Sequence, residues 1–257
     1  MASGKYLMGI WKGKKCVFCG GNRVAEGPEH APPKVMFRDK SRPMGLEFPA
    51  CHRCNHGSGG LDQLVANIAF GVSPEAVMKT KSMSAHELKV VKGIANNTPN
   101  LYSSAKRVPL FNQADKLIGS AVATELRKEV SLKIAKWATK QTLALWFEHT
   151  GQIASHRVVV DVELLTNTKH PPKDLYKIIK YMGKSNSLNT ANRFTADQFS
   201  YKIKVDPARD MAMVFAQYHQ GFAFFSIIKD KPTAKLSRKG LDYKFGTNAN
   251  KGIHQIG

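Results

Sequence analysis

Two pairs of thiols are the part of this chain best equipped for chemistry. Cys16 and Cys19 lie in KCVFCGG, Cys51 and Cys54 lie in ACHRCN, and the sequence holds no other cysteine. Each C-x-x-C pair offers two sulfurs from one tight turn, which matches tetrahedral thiolate coordination of zinc. Gly20 and Gly21 follow the first pair, where a knuckle needs backbone freedom. Four sulfur ligands close the coordination sphere, so a zinc held this way braces structure and takes no substrate. Unligated buried thiols or a redox pair are the alternatives. Bound zinc would contribute on the order of 10 kcal/mol to the folding of a segment with few large apolar residues.

Other groups able to bind metal or move protons crowd the same region. The stretch between the knuckles contains GPEHAPPKVMFRDKSRPMG, with Glu29 and His30 ahead of Pro32 and Pro33. The second knuckle sits in EFPACHRCNHGSGGLD, which adds His52, Asn55, His56 and Asp62. His52, between the two cysteines, is expected to face solvent or phosphate, and Asp62 reads as a helix cap, a carboxylate behind a ligand, or a solvated side chain.

The order CVFC, then Glu29-His30 with two prolines close behind, then CHRCN, resembles the zinc-knuckle-containing bacterial and phage type of HNH endonuclease, over residues 16–65. The resemblance implies a treble-clef or ββα-metal finger: a hairpin carrying Glu29 and His30, then a helix opening at the second knuckle. It implies that His30 is the general base. Glu29 and Asn55 become the protein ligands of a catalytic divalent ion, Mg²⁺ or Mn²⁺, distinct from the structural zinc on Cys16, Cys19, Cys51 and Cys54, with His56 a possible rival to Asn55. The chemistry is coherent, because phosphodiester cleavage needs a base able to deprotonate water near neutral pH and a cation beside the developing charge. Oxygen donors suit Mg²⁺ or Mn²⁺. Two positions depart from the family pattern. Glu29 stands for the commoner aspartate, and Leu46 replaces the asparagine that orients the base, leaving Glu47 and Asn22 as the nearest polar candidates.

Charge points to the same class of partner. Lys and Arg number 39 against 19 Asp and Glu, a formal charge of +20 over 257 residues. Such an excess attracts polyanions, and nucleic acid is the usual one inside a cell. Lys14, Lys15, Lys34, Arg38 and Arg53 are the candidate phosphate contacts near the knuckles, with DNA expected ahead of RNA. No apolar run approaches the length of a membrane span, and the start MASGKYLMGIWKGKKC lacks the apolar core of a secretory signal, so a cytoplasmic protein with reduced thiols is expected.

The elements that must hold this region read as α+β in three stretches: an HNH-like zinc finger over 1–70, a helical region over 71–155, and an α+β region with a basic tail over 156–257. LDQLVANIAF carries a helical apolar stripe, and SPEAVMKTKSMSAHELKVVKGIANN contains two helix-start signals at Ser73 and Ser84. Val122, Leu126, Val130, Ile134, Trp137, Leu145 and Trp146 fall at mostly helical spacings, predicting a long core helix through Phe147 that is capped by Gly151. Its Arg127, Lys128, Lys133, Lys136 and Lys140 read as a solvated face. DLYKIIKYMGK predicts a further helix. Alternation predicts strands at Phe199–Val205, Met211–Tyr218 and Phe222–Ile228, joined as an antiparallel meander with a turn at Gly221, and a fourth near Val158–Leu164. The Gly-, Asn- and Lys-rich tail is expected to be flexible until it meets phosphate. Three functions fit these features: a metal-dependent HNH-type endonuclease, a noncatalytic zinc-stabilised nucleic-acid-binding protein, or a scaffold whose sheet binds a protein partner.

Overall fold

The structure, a computed structural model, describes residues 11, 13–73, 92–93, 106–111, 117–123, 127–166, 173–188, 195–208, 210–230 and 252–255. It is α+β, with a four-cysteine cluster near the N-terminus and an antiparallel sheet toward the C-terminus. No helix among the described residues is long and apolar enough to cross a membrane.

Near the N-terminus, strand β1 (Gly27–His30) pairs antiparallel with β2 (Glu47–Ala50). Pro28 opposes Pro49 in that register. Neither ring can donate to a ladder, which suits a hairpin that gains no further strands. Two helices follow β2: α1 (His52–His56), which begins within the second knuckle, and α2 (Gly59–Gly71). The stripe read from LDQLVANIAF is the buried face of α2, with Leu64, Val65, Ile68 and Phe70 inside.

Helix α3 (Lys128–Thr150) runs through the middle of the molecule and is buried along most of its length. Gly151 ends it with φ 68°, its N–H donating to Phe147 O, as the glycine predicts. The expected start is corrected. Val122 belongs to β4 (Leu117–Ala123), which pairs antiparallel with β3 (Lys106–Phe111). An apolar residue every fourth position satisfies a strand face as well as a helix face, and LIGSAVA carries Gly119 besides, which weakens a helix. The region 71–155 therefore contains a hairpin ahead of its helix. The two short helices expected over 73–97 lie almost wholly outside the described residues.

The five-stranded sheet has the order β6 (Phe199–Val205), β7 (Met211–Tyr218), β8 (Phe222–Lys229), β5 (Val159–Thr166), β9 (Gly252–Gln255), every pair antiparallel. Alternation along β7 sends Ala212, Val214, Ala216 and Tyr218 toward α3, and Met213 and Phe215 toward α4 (Lys173–Tyr181) on the opposite face. The expected flexible tail is corrected over its last described residues, because Gly252–Gln255 adds an edge strand to β5; residues 231–251 lie outside the described set.

One buried apolar cluster extends from Cys16 and Phe18 through Trp137 and Trp146 to Phe224 and Ile228, so the finger, the central helix and the sheet share a core. The β7–β8 turn is driven into the finger. His219 is buried there, its Nε2 2.7 Å from Met36 O and its ring 4.1 Å from that of Phe70. At Gly221 an added Cβ would strike the backbone of Val72, which explains a glycine at that turn better than flexibility does.

Candidate metal centre and active site

The first knuckle is a tight turn, Val17–Cys19, closed by Gly20 and Gly21 at φ 64° and 75°. Gly21 N–H donates to Cys16 O and Asn22 N–H to Cys19 O. The second knuckle is the start of α1, where Cys54 N–H and Asn55 N–H both donate to Cys51 O and Glu26 accepts the His52 N–H. These turns bring the four sulfurs of Cys16, Cys19, Cys51 and Cys54 within 4.8 Å of one another, a cluster able to hold a metal ion such as zinc. The Cys54 thiol donates to the Cys16 sulfur, which pulls Cys16 down to about 5 and pushes Cys54 up. Zinc bound here takes all four sulfurs as thiolates and displaces their protons.

On β1 the alternation of a strand separates the two residues of the Glu29-His30 dipeptide. Glu29 faces inward and is buried; its Oε1 lies 2.8 Å from the ammonium of Lys140 on α3. Burial raises its carboxyl to about 7 despite that ammonium. His30 faces the other way, toward Glu47 directly opposite it in the hairpin, with Nε2 3.6 Å from Glu47 Oε1. Burial, Arg42 and Lys34 lower the imidazole to about 4, so it is uncharged at neutral pH. Asn55 binds back to the hairpin: Nδ2 donates to Pro28 O at 3.0 Å.

Glu29 and the second knuckle are thus brought together by Lys140, which also donates to Cys54 O at 2.8 Å, while His30 pairs with Glu47 on the far side of the strand. His52 and His56 are exposed, and their rings stack on each other at 4.2 Å. Of the residues proposed to meet phosphate, Lys14, Lys15, Lys34 and Arg53 are exposed, whereas Arg38 is held by Asp197 at 2.9 Å. Asn22 is exposed, so of the two candidates for the missing asparagine it is Glu47 that faces the imidazole.

Two participants escape the sequence reading. Lys140, counted there among solvated lysines, is turned into the finger and is mostly buried. Arg42 has a buried guanidinium that donates to Pro32 O, Pro43 O, Gly45 O and Leu46 O, holding the loop beneath His30. Asp62, which the sequence leaves open between a helix cap, a carboxylate behind a ligand and a solvated side chain, is half-buried, with Oδ1 accepting the indole N–H of Trp137 at 2.9 Å and Oδ2 3.1 Å from Ser58 Oγ. Leu46 itself sits at φ 52°, a left-handed conformation that favours asparagine over leucine.

A divalent ion on Glu29 and Asn55 does not fit this arrangement. The face of Glu29 that would meet it is occupied by an ammonium at hydrogen-bonding distance, while Asn55 spends only its Nδ2 on the hairpin and is not what blocks the site.

Two consequences are measurable. Trp137→Phe keeps an aromatic ring against Tyr218 and Phe224 but strips a half-buried carboxylate of a donor, and is expected to cost about 1–3 kcal/mol. An unchanged denaturant midpoint would show that the Asp62 contact does not form. The second concerns pH. Glu29 binds its proton more tightly in the fold, so its contribution is full below about 4.5 and is lost as pH rises through 7. His30 does the reverse, contributing fully above 6.5 and losing this as pH falls toward 4. The two oppose each other between 4.5 and 6.5. The Tm of Glu29→Gln minus that of wild type should therefore climb with pH across this window, and the same difference for His30→Asn should fall. Parallel slopes would contradict the two environments.

Comparison with protein families, curated proteins and solved structures gives no match.

Proposed function

We propose that this chain is an HNH-type phosphodiester hydrolase acting on nucleic acid, DNA ahead of RNA, through a zinc-stapled treble-clef or ββα-metal finger with His30 as general base. The observation that supports it is the state of His30: half-buried, uncharged above about pH 4, and facing a carboxylate on a hairpin that leads straight into the second knuckle. With the ring proton on Nε2, which faces Glu47 at 3.6 Å, the Nδ1 lone pair accepts a proton from water as the water oxygen attacks phosphorus, and the P–O ester bond breaks with the leaving oxygen taking a proton from solvent. Glu47 then orients the base in place of the absent asparagine. Exposed Lys14, Lys15, Lys34 and Arg53 offer contacts to backbone phosphate, and each phosphate neutralised releases counterions. A Mg²⁺ or Mn²⁺ ion, when bound, supplies positive charge beside the scissile phosphate; with Glu29 held by Lys140, no step here runs through it.

A noncatalytic zinc-stabilised nucleic-acid-binding protein is the second reading, and the Lys140–Glu29 contact is what favours it. One experiment separates them. Zinc-loaded protein at low salt is incubated with supercoiled plasmid, labelled duplex, single strand and RNA, with and without Mg²⁺ or Mn²⁺, beside His30→Ala. Cleavage lost in His30→Ala supports the hydrolase. Salt-sensitive binding without cleavage under any condition removes the hydrolase and leaves the binder.

A further inference from the structure

The Lys140 ammonium is bound as a small metal ion would be. Three oxygens of different kinds converge on it, each at 2.8 Å: a carboxylate of Glu29, the carbonyl of Cys54 and the hydroxyl of Ser58. An ammonium has three N–H donors, so these acceptors saturate it. The half-buried Asp62 carboxylate lies directly behind Ser58, and the face of the Phe18 ring lies 5.3 Å from Nζ. The acceptors come from β1, from α1 and from the turn into α2, whereas the cation comes from a helix far along the chain. An oxygen-only set with two carboxylates close by is what hard divalent cations take, and the pocket's size points to the larger of them, since Ca²⁺–oxygen distances are about 2.3–2.6 Å against about 2.1 Å for Mg²⁺.

From this disagreement with a metal on Glu29 we infer that Lys140 is the pocket's own cation: it occupies a divalent-ion seat built by Glu29, Cys54, Ser58 and Asp62, and closes that seat to Mg²⁺, Mn²⁺ and Ca²⁺ in the native chain. The charge that balances Glu29 is then covalently tethered to the central helix, and it locks the finger to α3 without depending on ion concentration. Whatever the finger does to nucleic acid, it does with this pocket already filled. The inference stands whether or not the chain cleaves a phosphodiester.

Metal binding rather than activity reads it. Full-length, zinc-loaded wild type, Glu29→Gln, Lys140→Met and the Lys140→Met/Glu29→Gln double variant are titrated with Mn²⁺, following free Mn²⁺ by electron paramagnetic resonance, with Ca²⁺ as competitor. Wild type and Glu29→Gln are expected to give the same weak background. Lys140→Met is expected to gain one Mn²⁺ per chain, displaced by Ca²⁺, and the double variant to lose it by about 10- to 100-fold in affinity. A wild-type Mn²⁺ site that disappears in Glu29→Gln would overturn the inference, because the lysine would then yield the seat to an ion. So would a folded Lys140→Met protein that binds no more Mn²⁺ than wild type. Should Lys140→Met fail to fold, the comparison of wild type with Glu29→Gln still decides.

Discussion

Cys54→Ser is expected to abolish tight zinc binding and to release the finger, residues 13–73, from the rest of the molecule. The sulfur of Cys54 is only half-buried, so the substitution creates little cavity and its effect reports on metal. Structural zinc sites contribute on the order of 10 kcal/mol at neutral pH, comparable to the whole stability of about 5–15 kcal/mol of a typical domain. Part of that loss is offset by apolar packing that does not need the metal. Phe18 meets Phe48 edge-on, Phe48 meets Phe147 of α3, and Phe37 meets Phe199 of β6. The expected result is therefore one zinc per chain in wild type, none retained through dialysis in Cys54→Ser, and a fall in Tm of at least about 10 °C, given about 2–4 °C per kcal/mol in chains of this size. A chelator should reproduce the fall in wild type and leave the variant unaffected. Wild-type protein that purifies without zinc, or a variant that melts with wild type, would show that the four sulfurs are packed thiols and nothing more.

The sheet and the knuckles were legible because their signals are local. Phe199–Val205 alternates apolar and polar residues, and Met211–Tyr218 is a short apolar run between polar and turn residues, so local pattern and punctuation locate both. Two C-x-x-C pairs need only be reduced and near each other to be read. Lys140 shows where such reading stops. In sequence it is one of several basic residues on a helix, with Lys133 and Lys136 exposed as expected. Yet it lies three residues after Trp137 and four before Ala144, both buried, so the helical stripe itself carried the sign that this lysine points inward. What no local pattern could give is its partner, because the oxygens that receive it lie far away in sequence and meet it only after the finger has folded. Arg42 is hidden for a related reason: its acceptors are carbonyls, which every residue has. Glu29 and His30 make the converse point. Adjacent in sequence, they were expected to converge on one ion, and a strand places neighbours on opposite faces.

His30→Ala is expected to lower any cleavage the chain performs by about 10²–10⁴-fold, the range a positioned general base contributes. Nucleic-acid affinity should change little, since an uncharged imidazole makes no phosphate contact worth a released counterion. The pH profile adds a signature that a merely structural histidine lacks. An ordinary imidazole loses its basic form as pH drops below about 6.5, so cleavage relying on one falls steadily through pH 6 and 5. Here burial, with Arg42 and Lys34 nearby, keeps the ring neutral down to about 4, so the acid limb of kcat/KM should be displaced to that region. Removing one of those charges tests the cause. Lys34 is exposed, and Lys34→Gln should move the acid limb back upward without unfolding the loop, whereas Arg42 is anchored to four carbonyls and its loss disturbs the loop itself. Glu47→Gln keeps a group opposite Nε2 but removes the charge that stabilises a protonated ring, so it should lower kcat by less than His30→Ala does and push the acid limb lower still. Cleavage at the wild-type rate in His30→Ala would remove the imidazole from the chemistry, and an acid limb unmoved by Lys34→Gln would remove Lys34 as a contributor to its neutrality, leaving burial and Arg42.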